Sequence, residues 1–439
     1  MDPRLILLPI GLVCYFLPIP YAGLVSRGML LVAVSGGFSR LGLLRRVEAR
    51  WIVLLGLYLM ASATSLLFSI DMSLSLMDFA RQIYIVVFSI LLVLTLRRSS
   101  ARTELAAGML LPTLLGIAVI LYLFQTRGWG FSTDELHTFK ASVSASDPSL
   151  AMNPIAGLFV LTFLASMPVS FRFRHLTWLF IAIFFPVLVL TGARSTIVAL
   201  PSAVLLFMIV RVLWRMPLFP RLIAIAFLIT LSIAVCVSIR IPSIPIESLD
   251  KATTHRVYLW EAALERFSSH YWFGAGADTW RLDLATVLPA EPQWVSRALL
   301  QLSSGAYHNA YLAFLAERGL VVSIPALLFL WFVLRSAFRV YAHRKMFAPV
   351  DRGLAQLAPT MVLFIMVRQL GECSGLLGYA EGTTDFASFV VASLVIALAA
   401  DIGHCDAYSP NQGTVISEDA RVVNENGRAP GLAGVVAGV

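Results

Sequence analysis

The chain has 439 residues, of which 59% are hydrophobic and only 13% charged, with a formal net charge of +8 at pH 7. A soluble domain carries nearly twice that share of charge, so composition excludes an ordinary cytosolic enzyme and a disordered protein. The basic balance fits Lys and Arg held in the cytoplasmic loops of a polytopic membrane protein, not a nucleic-acid surface.

In chain order, apolar runs bounded by charge, Pro or Gly occupy 5–23, 25–39, 51–69, 82–96, 105–125 and 152–170. They continue at 177–193, 195–213, 222–240, 309–334, 356–371 and 384–400. A span needs roughly 20 apolar residues, so the pattern predicts an all-α polytopic bundle of about 12 transmembrane helices. The first run has no small-residue cleavage site before the next apolar stretch and reads as a retained span, not a signal peptide. Four organisational units follow: nine helices over 1–240, a large outer loop over 241–308 with an amphipathic helix, three helices over 309–400, and a mobile tail over 401–439. Hydropathy shows no pair of matching halves. Cys14, Cys236, Cys373 and Cys405 are scattered without metal spacing, which predicts neither a disulfide nor a zinc site.

Alternate loops differ in charge. The stretches 40–50, 97–104, 171–176, 211–221 and 335–355 hold 17 Lys and Arg, whereas the short loops of the other set hold only Arg81, Arg127, Lys140 and Arg194. The basic set is therefore cytoplasmic. Both termini are then inside, and the long loops 126–151 and 241–308 face outward.

Titratable residues at membrane depth are functional candidates by default. Arg194 lies in the tight Thr191-Gly192-Ala193-Arg194-Ser195-Thr196 break, where Ser195 or Thr196 caps the next helix. A cation beside free helix N–H groups suits phosphate; a snorkelling interfacial Arg is the plainer reading. In the outer loop, Val257, Trp260, Leu264, Phe267 and Tyr271 recur at helical spacing, predicting an amphipathic helix on the bilayer or the bundle rim. Arg256 opens that helix, and Gly274-Ala275-Gly276 ends the segment.

His308 falls in the first turn of the tenth span, at its outer end. The helix N-terminus disfavours the imidazolium there, which suits a general base as well as a structural role. Glu317 lies nine residues on, roughly 13 Å deeper at 1.5 Å per residue and on the opposite face. It reads as a buried acid whose partner is Arg318 or Arg368. Arg368 and Glu372 are spaced for an intrahelical pair or, for Arg368, a phosphate contact. Arg81, at the opening of the fourth span, is a weaker candidate of the same kind. Asn153-Pro154 reads as a helix cap and first-turn Pro.

These residues resemble the O-antigen ligase and polymerase superfamily of bacterial inner-membrane glycosyltransferases. The resemblance rests on three motifs in order: Gly192-x-Arg194-Ser195; Arg256…Trp260…Gly274-x-Gly276; and His308-Asn309-x-x-Leu312-x-x-Leu315-x-Glu317-x-Gly319. It also covers the topology, with the large outer loop between the ninth and tenth spans. The resemblance implies a glycan donor on undecaprenyl pyrophosphate at the outer leaflet. It implies pyrophosphate binding by Arg194 and Arg256 and proton removal by His308. Arg81, Arg368 and Glu317 form a secondary set. In the ligase the acceptor is a sugar of lipid A–core, transfer inverts the anomeric carbon, and neither a cofactor nor a metal is required. The partners are then the lipid-linked glycan, lipid A–core and membrane lipids, with no nucleic acid.

Polymerases of the superfamily tend to carry two sizeable outer loops and an Arg-x15-Gly pattern. Here 17 residues separate Arg256 from Gly274, which favours the ligase. A transporter or flippase of a lipid-linked anion is the reading from another class. It requires basic residues near the midplane with access from both sides, whereas transfer requires a pocket open only outward.

Overall fold

The computed structural model describes residues 4, 7–14, 22–46, 49–108, 194–216, 256–277, 279, 309–370, 376 and 383–408. Among these, regular structure is entirely helical. The α-helices are α1 (Leu7–Cys14), α2 (Ala22–Val34), α3 (Ala49–Leu66), α4 (Met72–Leu96), α5 (Ser99–Gly108) and α6 (Arg194–Arg215). They continue with α7 (Arg256–Ser269), α8 (Ala310–Ala342), α9 (Pro349–Arg368) and α10 (Thr383–Tyr408). A 3₁₀ stretch, Ser35–Arg46, follows α2.

Two described helices, α4 and α8, are long and apolar enough to cross a membrane. Both bury one face and expose large apolar side chains on another: Leu76, Ile83 and Val87 on α4, and Ile324, Leu327 and Trp331 on α8. A helix that is hydrophobic all round belongs where no face meets water. The spans expected at 105–125, 152–170, 177–193 and 222–240 lie largely or wholly outside the described residues, as do Asn153-Pro154 and most of the loops 126–151 and 241–308.

Helix α8 is the spine of the bundle, packing against α3, α7, α9 and α10, while α6 packs on α9 and α4 on α10. The core between them is built of Trp51, Phe88, Leu92, Phe329, Phe364 and Leu398, all with little or no exposure. Phe207 of α6 meets the edge of Tyr341 at 5.1 Å between ring centroids and stacks on Phe338 at 6.3 Å.

Several boundaries differ from the sequence reading. Helix α4 begins at Met72, ten residues before the expected 82. The carboxylate of Asp71 caps it by accepting from Ser73 N and Leu74 N. The polar residues that made 70–81 look like a loop are instead one inward stripe: Ser75, Asp78 and Gln82 are each at most 3% exposed. Arg81 therefore sits in the third turn of α4, half-buried, and does not open it. Arg335 and Arg339, expected in a loop, lie in the last turns of α8.

One end of the bundle is closed by ions. Arg102 makes a bidentate contact with Asp351, with Nε–Oδ1 at 2.9 Å and Nη2–Oδ2 at 2.8 Å, and reaches Asp401 Oδ2 at 2.9 Å. Ser99 Oγ donates to Asp351 at 2.7 Å. Burial opposes the charge on Arg102, but the hydrogen bonds and charge of Asp351, with those of Asp401, hold it above the ordinary arginine value. Arg40 donates to Leu94 O at 3.4 Å at the same end. Residues 40, 102 and 351, from three stretches that the charge count placed together, thus share one end.

Candidate functional site

The opposite end is organised around a break in α8. Gly319 has φ 64° and ψ −175°, a region essentially reserved for glycine. The break splits α8 into a nine-residue piece, 310–318, and a 23-residue run, 320–342, of about 34 Å.

A break opens two backbone hydrogen bonds, those from Leu320 N to Ala316 O and from Val321 N to Glu317 O. All four groups find new partners in the segment that follows α7. Leu320 N donates to Tyr271 O at 2.8 Å and Val321 N to Trp272 O at 3.0 Å. Ala275 N donates to Ala316 O at 3.2 Å and Gly276 N to Glu317 O at 2.9 Å. Irregular backbone at membrane depth is tolerated only where protein re-satisfies it in this way. A Cβ on Gly274 would overlap the backbone of Glu317 and Arg318, and one on Gly319 would overlap Trp272 and Gly274. Two of the three motif stretches therefore interlock through their glycines.

The clasp is tied to α3 and α4. Ser65 Oγ donates to Phe273 O at 2.5 Å, Ile70 N to Ala275 O at 2.9 Å and Ser75 Oγ to Ala277 O at 3.2 Å. Phe68 stacks on Phe273 with centroids 4.0 Å apart. Arg266 of α7, 5% exposed, donates from Nη2 to Thr279 Oγ1 at 2.7 Å, and Thr279 Oγ1 donates to Gly276 O.

Beside the break lies a charged cluster that sequence reasoning missed. Arg318 Nη2 meets Asp78 Oδ2 at 2.6 Å, with side chains 3% and 0% exposed. Gln82 Nε2 donates to the same carboxylate oxygen at 2.5 Å, and Arg318 Nη1 donates to Tyr58 OH at 3.5 Å. A small pocket of about 10 Å³ adjoins the pair, lined by Ser62, Ser65, Ser75, Gln82, Ala277 and Arg318 among others. The spacing of Ser75, Asp78, Gln82 and Ser89 within an apolar run was the available signal, since it marks one helix face.

The sequence-derived candidates fall as follows. Arg194 and Arg256 are each the first residue of a helix, α6 and α7; their side chains lie outside the described residues. Ser195 and Thr196, expected as caps, lie inside the first turn of α6. His308 lies wholly outside the described residues. The residue after it, Asn309, is the N-cap of α8, its Oδ1 accepting from Tyr311 N at 3.0 Å and Leu312 N at 3.1 Å. Glu317 is fully buried as expected, but the guanidinium of neighbouring Arg318 goes to Asp78. Arg368 ends α9 and is 8% exposed, while Glu372 lies outside the described residues. The C-terminal end of α9 meets the start of α8, with Ala310 N donating to Gln369 O at 2.9 Å.

Helix α7 forms as expected, but its buried face is rotated. Leu259, Ala263 and Arg266 are buried against the bundle, and Leu264 and Tyr271 are about half exposed.

The fold and this end of it define a class: a helical bundle with two candidate membrane-spanning helices, one of them broken and sewn to the segment that follows α7. Residues 179–330 match the family model described as O-antigen ligase, which supports assigning the chain to the O-antigen ligase family. Proteins of that family are ligase- or polymerase-like membrane transferases, and the match covers about a third of this chain. No curated protein matches the chain. The matched segment contains Arg194, Arg256, the clasp and Gly319, whereas Asp78 lies outside it.

Proposed function

We propose that the protein is an O-antigen ligase of the bacterial inner membrane. It transfers a glycan from undecaprenyl pyrophosphate to a sugar hydroxyl of lipid A–core at the periplasmic face. The observation that carries this reading is the family match over 179–330, which spans Arg194, Arg256 and His308 together. The clasp supports it by coupling α7, which Arg256 opens, to the helix piece that directly follows His308.

In this reading the acceptor hydroxyl gives its proton to His308. Its oxygen forms the new bond to the anomeric carbon as the bond from that carbon to the pyrophosphate oxygen breaks. Attack from the opposite side inverts the anomeric centre. Undecaprenyl pyrophosphate leaves with the bonding pair, and Arg194 and Arg256 stabilise the charge that grows on it. No metal takes part, and Arg81, Arg368 and Glu317 are secondary contributors. The end closed by Arg102, Asp351 and Asp401 is cytoplasmic, with both termini.

The test is reconstitution in vesicles with a lipid-linked glycan and either lipid A–core or a second lipid-linked glycan as acceptor. Transfer to lipid A–core, insensitive to chelator, is expected; exclusive transfer to the second lipid-linked glycan assigns the polymerase activity instead. His308→Ala removes a base worth roughly 10²–10⁴-fold in rate without impairing insertion. Arg194→Lys and Arg256→Lys do not fully restore donor use, because a single ammonium lacks the bidentate fork; wild-type rates in either remove that residue from the site.

A further inference from the structure

The piece 310–318 is severed from the rest of α8 at Gly319, so its orientation is set by what it touches. At its start it meets α9 through Ala310 N and through Tyr311 OH, which donates to Met366 O at 3.0 Å. At its end it is held by the clasp. On its flank toward α4 it makes a charged contact, Arg318 on Asp78 at 2.6 Å. The same guanidinium lies over the ring of Phe314, 4.9 Å from its centroid, and Phe314 stacks on Tyr58 at 6.2 Å. One side chain thus links two turns of the piece to α3 and α4.

A buried ion pair is an inefficient way to gain stability, because a well-packed apolar pair of similar volume is often as stable. What it adds is direction. Arg318 finds its carboxylate in only one rotation of the piece about its axis, and Gln82 holds that carboxylate in place. At membrane depth such a pair costs enough to be a functional feature by default.

We infer that Asp78 and Arg318 are positioning residues. Their contact fixes the rotation of the 310–318 piece and, through Asn309, the approach of His308 to the acceptor hydroxyl. This rests on the reading of His308 as the base. Both act through the helix piece and not on the reacting atoms, and Asp78 contributes from outside the family-matched segment.

Removing one partner alone strands a buried charge and impairs folding, so the informative variant is Asp78→Leu/Arg318→Met. In nanodiscs it is expected to unfold at the wild-type temperature. Its kcat for transfer falls roughly 10- to 100-fold, the scale of a misplaced reacting group, with KM for the lipid-linked glycan unchanged. Amide exchange over 311–318 accelerates while that over 320–342 does not, a change that needs no catalytic assay. Should this variant fail to insert, Asp78→Asn/Arg318→Gln keeps hydrogen bonding without the charges and carries the same two measurements. Wild-type kcat or unaltered exchange over 311–318 overturns the proposal. His308→Ala is measured alongside. An inactive His308→Ala beside a fully active double variant sinks the positioning role alone. A fully active His308→Ala sinks the base assignment, and the positioning role with it.

Discussion

The two ends of the bundle use the same chemical pair, a buried guanidinium on a carboxylate, to different purposes. At the Arg102 end the pair joins unbroken helices: α5, α9 and α10 meet at one arginine that satisfies two carboxylates and the Leu96 carbonyl. At the Gly319 end the pair lies against a helix that has been cut, and much of the cohesion comes from backbone groups in the clasp. The first arrangement closes the bundle; the second holds one short piece in a chosen attitude. A structure that needs only cohesion at one end and geometry at the other puts its glycines, its irregular backbone and its motif residues at the second.

That contrast sets the order of expected effects. Gly319→Ala places a Cβ against Trp272 and Gly274 in a backbone region that L residues avoid, so it should cost roughly 4 kcal/mol and disengage the clasp. Thermal unfolding in detergent reads this directly. Gly28→Ala, with nothing within 4 Å of the added Cβ, should be neutral or slightly stabilising, and an equal loss in both would remove any special status from the break. Arg102→Met strands Asp351, 2% exposed, and should cost about 3 kcal/mol. Unlike the changes at 78 and 318, it should leave transfer per folded molecule at the wild-type value. A drop in kcat without a drop in stability would erase the distinction between the ends. Ser65→Ala removes the hydrogen bond to Phe273 O and should cost about 1 kcal/mol, seen as a small fall in unfolding temperature with faster exchange confined to 271–277.

Much of this architecture was legible in the sequence, for identifiable reasons. Helical spacing located α7 near its true position, and Gly274, Gly276 and Gly319 announced special backbone. The charge count sorted 40–50, 97–104 and 335–355 to one side, and their residues do share an end. What the sequence did not disclose is pairing across distance. Asp78 and Arg318 are 240 residues apart, and each alone reads as a loop or interfacial charge. Helix α4 starts at Met72 under the Asp71 cap, and the contact accommodates the buried carboxylate that made 70–81 read as a loop. Periodicity gives the period of α7, while its neighbours decide which stripe meets the bundle, and here that stripe includes the buried Arg266.

The stitch between residues 271–276 and the severed α8 also bears on assembly. Without it, Ala316 O, Glu317 O, Leu320 N and Val321 N would have to pair with one another through an unbroken helix, since each such group left unpaired in hydrocarbon costs several kcal/mol. The segment that supplies those partners is synthesised before Gly319, so it already exists when the spine arrives. The spine therefore takes its broken form only together with the seating of the preceding segment.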